Sequence, residues 1–234
     1  VVPLQSNDGV LITQFPMTTL EELGLLKMDF LGLRTLTVIR DTLDLMRSQG
    51  VNMKPEDIPM DDPAIYQMIS QGDTDGVFQL EGGGMRTFLT NMQPENFEDI
   101  IAAISLYRPG PMESIPRYIA GKRDPASVHY ETPQLAPILD VTYGCMVYQE
   151  QVMQIVRDLA GYSYGRSDLV RRAMAKKKKD VMAAERKNFV YGSEKEHVPG
   201  AVNRGVPAAV AEHIFDEMTA FASYAFNKAH AACY

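Results

Sequence analysis

Apolar positions along this chain change their period several times. Over residues 1–31 they alternate. Val10 and Ile12 form one run, and Leu26, Met28 and Phe30 a second, with Lys27, Asp29 and Leu31 on its opposite face. Period two predicts strands, and Gly24 and Gly32 bracket the second run as turn or close-approach positions. The period then lengthens: Leu36, Ile39, Leu43 and Met46 predict a helix over 35–49, with Gly50 just past its end. A second helix begins near Asp62, with Pro63 at the first helical position and Gly72 beyond the last. Residues 72–84 read as a glycine-rich connection around Val77-Phe78-Gln79-Leu80. A third helix covers 96–106 and stops at Arg108-Pro109-Gly110-Pro111.

Prolines make 109–143 an irregular segment with room for one short helix. Tyr148, Val152, Ile155 and Leu159 then mark a helix that ends at Gly161. Ser167 is placed to cap the next helix, which carries a basic cluster. Residues 192–207 form a loop rich in Gly and Pro. The last helix starts near Pro207 and runs on Val210, Ile214, Met218 and Phe221. The fold class is therefore α+β and predominantly helical, with a small strand-rich N-terminal part and a large helical part. The sequence starts without Met and stops at Tyr234, straight after a helix-like segment, so both ends read as cut points.

Composition adds limits. With 234 residues, 45% of them hydrophobic and 23% charged, the chain buries a real core and is not disordered. No apolar run approaches the roughly 20 residues of a membrane span, and no signal peptide is visible. Two isolated cysteines, Cys145 and Cys233, make no disulfide framework, which points to the reducing cytoplasm. His230 and Cys233 form a lone H-x-x-C pair with no second pair to complete a metal site.

Charge is distributed unevenly. The formal net charge is −7, yet residues 166–187 hold nine basic and three acidic residues, a local +6, so the remainder carries −13. Such a stretch attracts phosphate at one place on a body that repels it elsewhere. On a helix Arg172, Lys176 and Lys179 line one face. Stacked like charges repel, at about a few tenths of a kcal/mol per pair, and an anion such as a triphosphate or a nucleic-acid backbone relieves that cost. A solvated face is the alternative reading of the same run.

Other candidates are more isolated. Asp29 is a lone acid on an apolar strand, explained by a salt bridge, with Arg34 near in sequence, or by a magnesium ion. Asp73 and Asp75 flank a turn beside Gly72 and Gly76. Arg108 is presented by two prolines and a glycine, fitted to a phosphate or to the preceding helix end. Asn227, Lys228 and His230 lie among small residues that let another surface approach, and a histidine there is also a common packed residue.

Six collinear stretches carry a resemblance: 25–39 (LLKMDFLGLRTLTVI), 76–86 (GVFQLEGGGMR), 105–112 (SLYRPGPM), 143–154 (YGCMVYQEQVMQ), 168–178 (DLVRRAMAKKK) and 226–234 (FNKAHAACY). Together they resemble the alpha subunits of bacterial DNA polymerase III, C-family polymerases, of the DnaE type rather than the longer PolC type. Small-residue or apolar departures occur at Gly82, Cys145, Ala175 and Ala229, and none removes a charge.

The resemblance implies a domain order: the C-terminal edge of a palm at 1–34 and a helical fingers domain at 35–234. It implies template-directed deoxynucleotidyl transfer to a primer 3′ end, with two magnesium ions held by three palm aspartates. Asp29 matches the third of these, the catalytic and metal-binding one. The palm motif with the other two is not in the sequence. Arg171, Arg172, Lys176, Asn227, Lys228, His230 and Arg108 are then implied contacts of the incoming dNTP, and Lys177, Lys178 and Lys179 of DNA. Primer-template DNA and dNTPs are the implied partners. The sliding clamp and other holoenzyme subunits would bind through regions not in this sequence, which also lacks the N-terminal PHP and C-terminal clamp-binding and OB-fold regions. The chain alone is expected to be inactive and not to hold magnesium stably. A non-catalytic helical nucleic-acid-binding or scaffold module is the alternative.

Overall fold

A computed structural model describes residues 1–28, 32–175, 179–222 and 224–234, with positions 175, 179 and 180 described by their backbone alone. The chain divides into two compact units, Val1–Ile58 and Pro59–Tyr234.

In the first unit, β1 (Leu4–Asn7) and β2 (Val10–Thr13) form an antiparallel hairpin, Leu4 opposite Thr13 and Asn7 opposite Val10. Its two-residue turn is Asp8-Gly9, both at positive φ (49° and 82°), the pairing that matches strand twist in such hairpins. The expected second strand run does not form over Leu26–Met28. Instead a short helix, α1 (Met17–Glu22), intervenes, and 25–28 has no regular structure. Alternation makes a strand only where a partner supplies the ladder. The helix α2 (Arg34–Ser48) follows as its period predicts, with Gly50 at φ 85° behind it.

The second unit holds α3 (Pro63–Ser70), α4 (Gly83–Met92), α5 (Phe97–Leu106), α6 (Ile115–Arg123), α7 (Ala136–Leu139), α8 (Gln149–Ala160), α9 (Tyr164–Ala175), α10 (Lys179–Tyr191), α11 (Ala208–Ala222) and α12 (Lys228–Cys233). Caps set several starts. The Asp62 carboxylate accepts from Ala64 N at 2.9 Å, and the Asn96 amide oxygen accepts from Asp99 N at 3.0 Å. Helix α4 replaces part of the expected glycine-rich connection. Its buried Met85, Phe88, Leu89 and Met92 follow helical spacing, and that burial outweighs the helix-weakening glycines at its start. Residues 109–143 hold two α-helices, α6 and α7, with four short 3₁₀ segments, where the sequence predicts one short helix. Ser167 is no cap. Helix α9 starts three residues earlier, and the Ser163 carbonyl accepts from Ser167 N at 2.9 Å while its hydroxyl accepts from Arg166 N at 3.3 Å.

Two buried clusters organise this unit. One joins α4, α5 and Tyr118 to Cys145, Val147, Tyr148 and Ala231 of α12. The other joins α7 through α11 around Ile155, Met174, Phe189, Ile214 and Met218. The chain alternates between them: α7 lies in the second cluster, Cys145, Val147 and Tyr148 return to the first, and α8 enters the second again. The buried Gln151 amide fixes the start of α8. Its oxygen accepts from Val147 N and Tyr148 N at 2.8 and 2.9 Å, and its nitrogen donates to the Thr142 hydroxyl at 2.7 Å. A buried amide with its capacity filled this way holds one orientation.

Candidate functional site

The first turn of α8 is where distant parts of the sequence meet. Tyr148 and Phe226 form a parallel bridge, and Gln149 N donates to Phe226 O at 2.9 Å. The Gln149 side chain donates to Ala225 O at 2.9 Å and accepts from Arg171 Nη1 at 3.1 Å. The next residue, Glu150, accepts from Asn227 Nδ2 at 2.8 Å and from Lys228 N at 3.1 and 3.2 Å. Two adjacent residues thus tie the α9 arginines to the 225–230 segment.

The cations around this turn are not alike. Arg171 is largely enclosed, its side chain 19% exposed, and gives two hydrogen bonds to Asp168, the shorter at 2.8 Å. Arg172 pairs with the other oxygen of Asp168 at 2.8 Å and is 64% exposed. Hydrogen bonding from Arg171 holds the Asp168 carboxyl below the usual carboxylate range; partial burial opposes this and the Arg172 charge adds to it. Arg108 carries its guanidinium 3.7 Å from the Phe226 ring centre, a cation–π contact. At the α5 end Tyr107 N donates to Ala103 O and the Arg108 backbone N donates to Leu106 O at 2.8 Å, so Arg108 helps close that end through its main chain.

The C-terminal candidates have structural partners too. Asn227 caps α12, accepting from His230 N at 2.8 Å. The Lys228 ammonium pairs with Glu98 at 2.8 Å and lies 5.4 Å from the Tyr148 ring. His230 is exposed between the rings of Phe226 and Tyr234, at 5.3 and 4.8 Å. Arg108, Arg171, Arg172, Asn227, Lys228 and His230 are therefore gathered on one connected network.

Asp29, Lys176, Lys177 and Lys178 lie outside the described residues, and Lys179 is described only as the backbone start of α10. Among the described residues, one group of three could converge on a metal: Glu131, His213 and Glu217. It contains an imidazole, whereas magnesium takes oxygen ligands. Its members are already paired, His213 Nδ1 with Glu131 at 2.5 Å and Glu217 with Arg117 at 3.7 Å. His230 and Cys233 join no such group among those residues. Asp75 pairs with Arg86, consistent with its turn role.

Residues 35–197 match the family described as bacterial DNA polymerase III alpha subunit finger domain. The chain belongs to that family. Over 233 residues it is 47% identical to the DNA polymerase III subunit alpha of Staphylococcus aureus strains Mu50 and N315, covering 99% of this chain and 21% of theirs. The Staphylococcus epidermidis protein of that name is 46% identical over the same span. The chain spans about a fifth of the length of the curated relatives it matches.

The finger-domain match takes in Arg108, Arg171, Arg172 and the lysine run and stops short of 226–234. The hydrogen bonds of Gln149 and Glu150 nevertheless join that last segment to the finger domain. Gln149, Glu150, Asp168, Glu98 and Phe226 were not singled out as site residues from sequence. Gln149, Glu150, Asp168 and Phe226 stand inside quoted family stretches, but their partners are up to 78 residues away. Among the described residues no helix is long and apolar enough to cross a membrane.

Proposed function

We propose that this chain is the palm edge (1–34) and fingers (35–234) of a cytoplasmic replicative DNA-directed DNA polymerase, and that the α8 turn network binds the triphosphate of an incoming dNTP opposite a DNA template. The observation that carries this reading is the gathering of Arg108, Arg171, Arg172 and Lys228 on one connected network within a family of polymerase finger domains. In the reaction the primer 3′-oxygen attacks the α-phosphorus, the bond from that phosphorus to the bridging oxygen breaks, and pyrophosphate leaves. Guanidinium groups offset the charge that builds on the leaving phosphates. Arg171, pinned by Asp168 and Gln149, is preorganised for that task. Arg172, bound by one carboxylate and mostly exposed, is free to turn toward a phosphate.

Magnesium enters this reading through Asp29 alone. The described residues form no all-oxygen site that fits it, and no step assigned to the arginines requires one. Two ions, held by the whole enzyme with Asp29 as one ligand, would polarise the attacking hydroxyl and the leaving group.

The test uses the full-length subunit in single-nucleotide incorporation. Arg172→Ala raises the KM for dNTP; an unchanged KM and rate would exclude the contact. A second reading, a non-catalytic nucleic-acid-binding module, draws support from the local charge of +6 over residues 166–187. In that case the isolated chain binds DNA with a steep salt dependence, set by its phosphate contacts, and weak or absent binding by a folded chain marks a solvated face instead.

A further inference from the structure

Asp168 and Gln149 both hold Arg171, but they do different things. Asp168 sits on the same helix, three residues away. It sets the arginine's rotamer and moves with α9. Gln149 belongs to α8 and reaches Arg171 across 22 residues, while its other amide group holds Ala225 O. Among the described contacts of Arg171, only that to Gln149 fixes where the guanidinium stands relative to the 225–230 segment.

The chemistry of position 149 is restrictive. An acceptor must face the guanidinium and a donor must face the Ala225 carbonyl. A flipped amide would set NH2 against guanidinium and oxygen against oxygen, so both partners fix one orientation. A glutamate would oppose the carbonyl and set a second carboxylate beside Arg171, which Asp168 already pairs. An asparagine is one methylene shorter.

We propose that Gln149 is a positioning residue for dNTP binding: it sets the register of Arg171 against the 225–230 segment without adding a second carboxylate beside the guanidinium. This rests on the triphosphate reading of Arg171.

The experiment measures dNTP KM and kcat in the full-length subunit for Gln149→Ala, Gln149→Glu, Arg171→Ala and the Gln149→Ala/Arg171→Ala pair. Loss of a hydrogen bond to a charged group predicts a KM about tenfold higher for Gln149→Ala, with kcat changed less than about threefold. Gln149→Glu raises KM further. In the Arg171→Ala background Gln149→Ala adds less than about twofold, because the two residues act as one unit. A role in folding alone would lower the melting temperature and kcat with KM unchanged, which overturns the proposal. Should Gln149→Ala fail to fold, Gln149→Asn replaces it, with a smaller KM rise expected and an unchanged KM overturning the assignment. If Arg171→Ala leaves KM unaltered, the triphosphate reading itself fails. If Arg171→Ala raises KM and the Gln149 variants do not, only the positioning role fails.

Discussion

The guanidinium of Arg108 rests on the ring of Phe226, 3.7 Å from its centre. That ring is anchored at the backbone. Phe226 O accepts from Gln149 N at 2.9 Å, and Phe226 N donates to Val147 O at 3.4 Å. Pro109 and Pro111 stiffen the turn that delivers Arg108. This cation–π contact places the guanidinium carbon over the ring.

From this pairing, Phe226→Leu should remove a contact of about 0.5–2 kcal/mol while keeping the apolar packing of residue 226. The expected result in the full-length subunit is a dNTP KM raised severalfold. Arg108→Ala should raise it further, and the double variant should match Arg108→Ala alone. Additive effects of the two changes would show that the ring does not act through the arginine.

Asp168 gives a pH prediction. Its carboxyl is held low in the folded chain, chiefly by Arg171. A depressed folded value means the stabilisation is complete above the unfolded value of about 3.9 and is lost as pH falls through the folded value. Carboxyl NMR should find Asp168 titrating below an ordinary aspartate. Asp168→Asn should remove that transition and flatten the loss of stability on acidification below about pH 4. A midpoint at or above the ordinary value would contradict the pairing.

The two thiols should separate cleanly. Cys145 is 2% exposed, and burial pushes its thiol up to about 11, so little thiolate exists at pH 8. Cys233 is exposed. A disulfide-exchange reagent at pH 8 should label one thiol quickly in the native chain and the second only on unfolding. Cys233→Ser should abolish the fast phase. Two fast thiols would mean that the first core cluster is open at Cys145.

Much of this architecture is written locally. Pro63 with Asp62, Asn96, and Gly161 announce their helix ends because caps and positive-φ glycines act within a few residues. Helix α4 escaped because Gly82, Gly83 and Gly84 read as a connection, although Met85, Phe88, Leu89 and Met92 carry the period. The strand reading over Leu26–Met28 misled because alternation says nothing about a partner. In the site, the cations were legible as charge and motif. Their carboxylate and amide partners were not, since Gln149 to Arg171 and Glu150 to Lys228 are tertiary contacts without a local pattern.

Asp99 and Lys122 provide the last test, in the first core cluster's polar margin. Their side chains are 3% and 8% exposed and 3.3 Å apart. Asp99 also accepts from Glu95 N at 2.9 Å. Asp99→Ala leaves the Lys122 ammonium enclosed without its buried partner, a change that costs about 3–5 kcal/mol. Glu95 also pairs with Lys122, at 3.2 Å, but is 77% exposed, so Glu95→Ala should cost below about 1 kcal/mol. Lys122→Met, which removes the ammonium and keeps the stem, should be milder in the Asp99→Ala background than in the parent chain, because no buried charge is then orphaned. Urea denaturation of the four variants measures this. Equal costs for Asp99→Ala and Glu95→Ala would show that the pair is solvated and that the burial argument does not hold.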